Sequence, residues 1–141
     1  MRDTRRTFVL LVEDNSIDSM LVERTFCKAN QGVECRRVSS AEEAIGYLEG
    51  RGSYADRERF PLPDTVVTDL RLPGLSGLDL LSWIQKQPAL KDLPVIVITG
   101  HGNRQIDRAY DLGAYFYLVK PLSVDIVAEV LSSFGAPIGA T

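Results

Sequence analysis

The sequence is poor in the residues that build covalent or metal-clamped scaffolds. Only two cysteines occur in 141 residues, Cys27 and Cys35, and they lack CxxC spacing. A disulfide framework is thereby excluded, and each thiol reads as a small buried hydrophobe. His101 stands alone, so no histidine-rich metal site can form. No apolar run approaches the roughly 18 residues of a membrane span, and no signal-peptide pattern opens the chain. Without disulfides or a leader, a reducing cytoplasmic setting is the expectation. Excess positive charge is also missing: 16 basic against 19 acidic side chains leave a net charge of −3. Nucleic acid is therefore not an expected partner. The short clusters Arg2, Arg5, Arg6 and Arg51, Arg57, Arg59 read as solvated surface. With 45% hydrophobic residues, 11 Gly and 7 Pro, neither disorder nor a fibrous repeat is indicated. One domain over residues 1–141 is expected, with a core at about 7–134 and tails at 1–6 and 135–141.

What the chain does have is rhythm. Phe8-Val9-Leu10-Leu11-Val12 is apolar without alternation and stops at Glu13-Asp14, which suits a strand covered on both faces. Asn15 and Ser16 offer caps for a helix carrying Ile17, Leu21, Val22, Phe26 and Ala29. Val33–Val38 reads as a more polar edge strand. Ser40 and Glu43 have capping-box spacing ahead of a helix burying Ala41, Ala44, Ile45 and Leu48. Residues 49–63 form the one long loop, and such loops are commonly functional or mobile. A strand at Thr65–Thr68 ends at Asp69, and a Pro- and Gly-rich loop leads to a helix with Leu78, Leu81 and Ile84 inward. Pro94–Ile98 is a strand ending at Thr99, followed by a helix near 104–112. Tyr115–Val119 is the fifth strand, broken by Lys120-Pro121. A last helix starts at Ser123 and buries Val124, Val127, Ala128 and Leu131.

Five strand–helix units in strict alternation imply right-handed crossovers and a doubly wound α/β fold with a parallel sheet. All strand ends then lie on one edge, where open α/β folds place their crevice. Glu13, Asp14, Asp69, Thr99 and Lys120 should therefore converge. Three gathered carboxylates repel unless offset, and a hard divalent cation such as Mg²⁺, with its preference for oxygen ligands, offsets them. An aspartate held between such a cation and an ammonium can accept a phosphoryl group as an acyl phosphate.

The chain resembles the receiver domains of two-component response regulators over roughly residues 7–134. The segments that carry the likeness are VLLVEDN at 9–15, VVTDLRLPGLSG at 66–77, VIVITG at 95–100 and GAYFYLVKP at 113–121. The resemblance implies a five-stranded flavodoxin-like fold of strand order 2-1-3-4-5. It implies Asp69 as phosphoacceptor, served by a sensor histidine kinase. Glu13, Asp14, Asp69 and the main-chain carbonyl of Arg71 would bind Mg²⁺, or Mn²⁺ in its place. Thr99 would be the switch hydroxyl, Tyr117 the aromatic that follows it, and the Lys120–Pro121 peptide would be cis. The 49–63 loop is similar to that of single-domain regulators paired with phytochrome-type kinases. The chain accordingly reads as a stand-alone regulator whose output is a changed surface for a downstream protein or phosphotransfer partner. The fourth helix, fifth strand and fifth helix would form that surface, with Tyr110, Tyr115 or Phe134 contributing; whether the chain is a homodimer stays open. His101 and the Arg71 side chain are expected to flank the phosphoryl pocket and affect its lifetime.

Three rival readings are distinguishable. A dehalogenase-type phosphatase places a second Asp two residues after its nucleophile, and here that residue is Arg71. A flavodoxin-like cofactor binder cradles phosphate in a Ser/Thr/Gly-rich first loop, whereas this first loop is acidic. A degenerate receiver would bind a partner without phosphorylation; all five polar strand-end residues are present, which weighs against that reading without removing it. The chain is thus expected to be a signalling phosphoacceptor and no turnover enzyme.

Overall fold

The computed structural model describes residues 6–100 and 105–134. Among these residues five strands alternate with five α-helices: β1 Thr7–Val12, α1 Ser16–Ala29, β2 Val33–Val38, α2 Ala41–Glu49, β3 Thr65–Asp69, α3 Gly77–Gln85, β4 Val95–Thr99, α4 Ile106–Asp111, β5 Phe116–Val119 and α5 Val124–Ser133. Every strand pair is parallel and the order is β2-β1-β3-β4-β5, as expected.

Strand side chains alternate between two apolar layers. Leu10, Val12, Val66, Val95, Val97 and Tyr117 pack on one face against α2, α3 and α4, meeting Ala44, Leu48, Leu81 and Ile84. Val9, Leu11, Val67, Ile96 and Ile98 pack on the other against Val22 and Phe26 of α1 and Val127 and Leu131 of α5. Because both faces are covered, Phe8–Val12 of β1, Val66-Val67 of β3 and Val95–Ile98 of β4 are apolar without alternation. Each such side chain withdrawn from water contributes about 1.5–3 kcal/mol, so the sheet interior dominates stabilisation and holds its upper edge rigid.

Capping follows the sequence closely. Asn15, Ser40, Ser76 and Ser123 each accept a backbone N–H of the first helical turn. At Ser40 the box is only half closed: the Glu43 carboxylate takes the N–H of Ser39 instead of that of Ser40. The reciprocal box lies at Ser76 and Asp79.

Several expected placements differ. Ile17 and Leu21 are exposed, because the buried stripe of α1 runs through Ser19, Val22 and Phe26. At about 100° per residue, positions 17 and 21 fall on the far side of that stripe. Val124 likewise faces out, and Val130 takes its place in the core. Cys27 is exposed and Cys35 half-buried, so only the second approaches the buried role expected of both.

The long loop is packed down. Tyr54 and Phe60 close an aromatic cluster on Tyr47, with ring centroids 4.8 and 5.1 Å apart along Tyr47–Tyr54–Phe60. Arg57 donates to the carbonyls of Tyr47, Leu48 and Phe60 at 2.9–3.1 Å. The first two lie in the last turn of α2, where the Gly50 N–H also reaches the Tyr47 carbonyl at 3.1 Å, so Arg57 helps to cap that helix. Arg36 stacks over Phe60 at 4.9 Å. Of the 51–59 basic cluster, Arg57 is therefore a structural residue and not a solvated one.

Candidate functional site

Strand register assembles the site. Val12 is paired with Thr68, Asp69 with Ile98 and Thr99 with Val119. The next residues, Glu13 and Lys120, thus lie beside Asp69 and Thr99 at the C-terminal edge. Two backbone bonds extend the ladders past the strands: Glu13 N–H to the Val38 carbonyl at 3.0 Å and Lys120 N–H to the Thr99 carbonyl at 2.7 Å. The Lys120–Pro121 peptide is cis.

At the centre is an ammonium held by three carboxylates. Lys120 Nζ donates to Asp69 Oδ2 at 2.8 Å, Asp18 Oδ2 at 3.0 Å and Glu13 Oε1 at 3.1 Å. Glu13 and Asp69 are buried, while Asp18 is half-exposed. Burial, reinforced by the adjoining Asp69 carboxylate, pushes Glu13 up to about 7. For Lys120, burial opposes the charge, but the hydrogen bonds to Asp69, Asp18 and Glu13 outweigh it and hold the ammonium protonated above its ordinary range. The remaining Asp69 oxygen, Oδ1, accepts the N–H of Arg71 at 3.0 Å. Gly77 backs this loop so closely that a Cβ there would run into the Asp69 carbonyl.

The profile of the response regulator receiver domain family matches residues 9–132, nearly the whole chain. The chain belongs to that family. Response regulator Rcp1 of Synechocystis is 33% identical over 113 residues, covering 79% of this receiver domain and 75% of Rcp1. The structure of the phosphorylated cyanobacterial phytochrome response regulator RcpA superposes with a TM-score of 0.80 at 29% identity, covering 95% of this chain and 97% of that one. The Mn²⁺-bound form of Rcp1 gives a TM-score of 0.77 at 28% identity, covering 96% and 99%. The receiver fold is thus shared over nearly the whole chain. No helix among the described residues is long and apolar enough to cross a membrane.

The other sequence candidates can be placed on this receiver. Thr99 is buried at the edge beside the cage. Tyr117 is buried on the opposite face of β5 from the exposed Phe116; its hydroxyl lacks a hydrogen bond of good geometry, and the Thr99 hydroxyl is the polar neighbour that partly counters the upward push of burial on the phenol. Asp14 is exposed, and its main-chain carbonyl accepts from Arg37. The Arg71 side chain is exposed. His101 lies outside the described residues.

Two residues at the site were not singled out from sequence. Asp18 enters the cage from the first turn of α1. Arg37, on β2, donates from Nε to the Glu13 carbonyl at 2.8 Å and from Nη2 to the Asp14 carbonyl at 3.0 Å, clamping the acidic turn. An acid in a first helical turn is ordinarily explained by the helix dipole and an arginine in an edge strand by solvation, so neither residue type signals a site by itself.

Proposed function

We propose that Asp69 is the phosphoacceptor of this receiver and that the site takes a phosphoryl group from a histidine kinase in a divalent-metal-dependent reaction. The observation that carries this is the Lys120 ammonium 2.8 Å from a buried Asp69 carboxylate whose other oxygen is fixed by a backbone N–H. An Asp69 oxygen would bond to phosphorus as the P–N bond of a phosphohistidine breaks, the imidazole nitrogen keeping the electron pair. Lys120 then faces the phosphoryl oxygens, and Thr99 at the end of β4 supplies a neutral hydroxyl on the same edge. Tyr117, buried on β5 with the Thr99 hydroxyl as its polar neighbour, would follow it, which would alter the surface of α4, β5 and α5. Tyr110 and Tyr115 are exposed on that side.

An oxygen-only donor set suits a hard cation. Oxygens of Glu13, Asp18 and Asp69 lie within 4.8 Å of one another. Glu13, Asp14 and Asp69, with the main-chain carbonyl of Arg71, would hold Mg²⁺, or Mn²⁺ in its place. Such an ion supplies positive charge against the phosphoryl oxygens. The relation to Rcp1 and RcpA supports a kinase of the phytochrome type and a cytoplasmic setting, with signalling and not substrate turnover as the output. Titrating purified protein with fluoroberyllate, a phosphoryl analogue, tests the reading: binding should require Mg²⁺ and vanish in Asp69→Asn. Metal-independent binding, or binding that survives Asp69→Asn, would sink it.

A further inference from the structure

The three acids of the cage do not share one origin. Glu13 and Asp69 end strands, as a phosphoryl-accepting edge requires, whereas Asp18 belongs to α1. Its N–H is taken by the Asn15 side chain at 2.8 Å, which fixes the turn, and its carboxylate leans over the edge to Lys120 Nζ at 3.0 Å. An ammonium has three N–H donors. Each meets one carboxylate, from Asp69, Asp18 or Glu13. A phosphoryl oxygen arriving at Asp69 must therefore win a donor from one of these acids. Asp18 is the most exposed of them, with 42% of its side chain open to solvent, against 1% for Glu13 and 10% for Asp69.

We propose that Asp18 is a positioning residue for Lys120: it draws the ammonium to the α1 side of the pocket and adds a third negative charge to it. This rests on Asp69 being the phosphoacceptor. Two consequences have opposite signs. The extra carboxylate attracts a divalent cation, and it repels a phosphoryl group while competing with it for Lys120.

The test measures two affinities on the full-length chain, for wild type, Asp18→Asn and Asp18→Glu. Calorimetry with Mg²⁺ alone should give roughly tenfold weaker binding for Asp18→Asn, the scale seen when a supporting partner of a metal ligand is removed. Titration with fluoroberyllate at saturating Mg²⁺ should give about fivefold tighter binding, the upper range for a partly exposed ion pair. Asp18→Glu, which keeps the charge, should return both towards wild type. A merely structural Asp18, acting as a favourable acid at the start of α1, would lower thermal stability and move neither affinity, or weaken both together. Either result overturns the proposal while wild type still binds the analogue through Asp69. If wild type itself fails to bind it, the phosphoacceptor reading fails first and this inference with it.

Discussion

Glu13 should make the metal-free protein less stable as pH rises. Its carboxyl is pushed up to about 7 from an ordinary 4.5, chiefly by burial. Below pH 4.5 the folded and unfolded states both hold the proton, and Glu13 contributes no pH dependence. Between 4.5 and 7 the folded state keeps a proton the unfolded chain has lost, so folding is progressively disfavoured as pH increases; above 7 the loss is complete. At about 1.4 kcal/mol per pH unit of separation, the whole effect is roughly 3–4 kcal/mol. For a chain of this size, that is a melting-temperature change on the order of 10 °C. Thermal or urea denaturation in a chelating buffer at pH 5, 6, 7 and 8 measures it, with Glu13→Gln as reference so that other titrating groups cancel. The difference between variant and wild type should grow in favour of the variant from pH 5 to 7 and then level. A flat difference, or one that shrinks with pH, would refute the burial argument for Glu13.

Arg57→Ala weakens the cap of α2 and strands the Leu48 and Phe60 carbonyls, so urea unfolding should show a loss of about 2 kcal/mol. Fluoroberyllate affinity should change little, since the loop lies away from the cage. Gly77→Ala places a methyl against the Asp69 carbonyl; a loss of about 1–3 kcal/mol is expected, together with weakened fluoroberyllate binding. Alkylation of native protein at pH 8 should label Cys27 and spare Cys35, because Cys27 is exposed whereas burial pushes the Cys35 thiol up to about 12; peptide mapping reads the result.

Much of this was legible in the chain because the signals are coarse and repeated. An apolar run that is covered on both faces must end where the sheet ends, so Glu13, Asp69, Thr99 and Lys120 announced one shared edge. Orientation within helices was harder. Ile17 and Leu21 match the apolar composition of α1 but stand off its buried stripe, and the buried Ser19 weakens the pattern. Side chains that reach across elements were not readable at all. Asp18, Arg37 and Arg57 look like ordinary surface charges until the fold brings Lys120, the acidic turn and the end of α2 within hydrogen-bonding distance. The same limit applies to Glu43, whose carboxylate chose the Ser39 N–H over that of Ser40. Local spacing gives the acceptor but not the competition for it.

The central claim is that Asp69, opposed by Lys120, accepts a phosphoryl group with the help of a divalent cation. Intact-mass measurement after incubation with a small acyl-phosphate donor tests it most directly, comparing wild type with Asp69→Asn in Mg²⁺ and in chelator. One added phosphoryl group is expected on wild type in Mg²⁺ only, released by hydroxylamine as an acyl phosphate should be, and none on Asp69→Asn. Equal labelling of Asp69→Asn, or labelling of wild type without the metal, would contradict it.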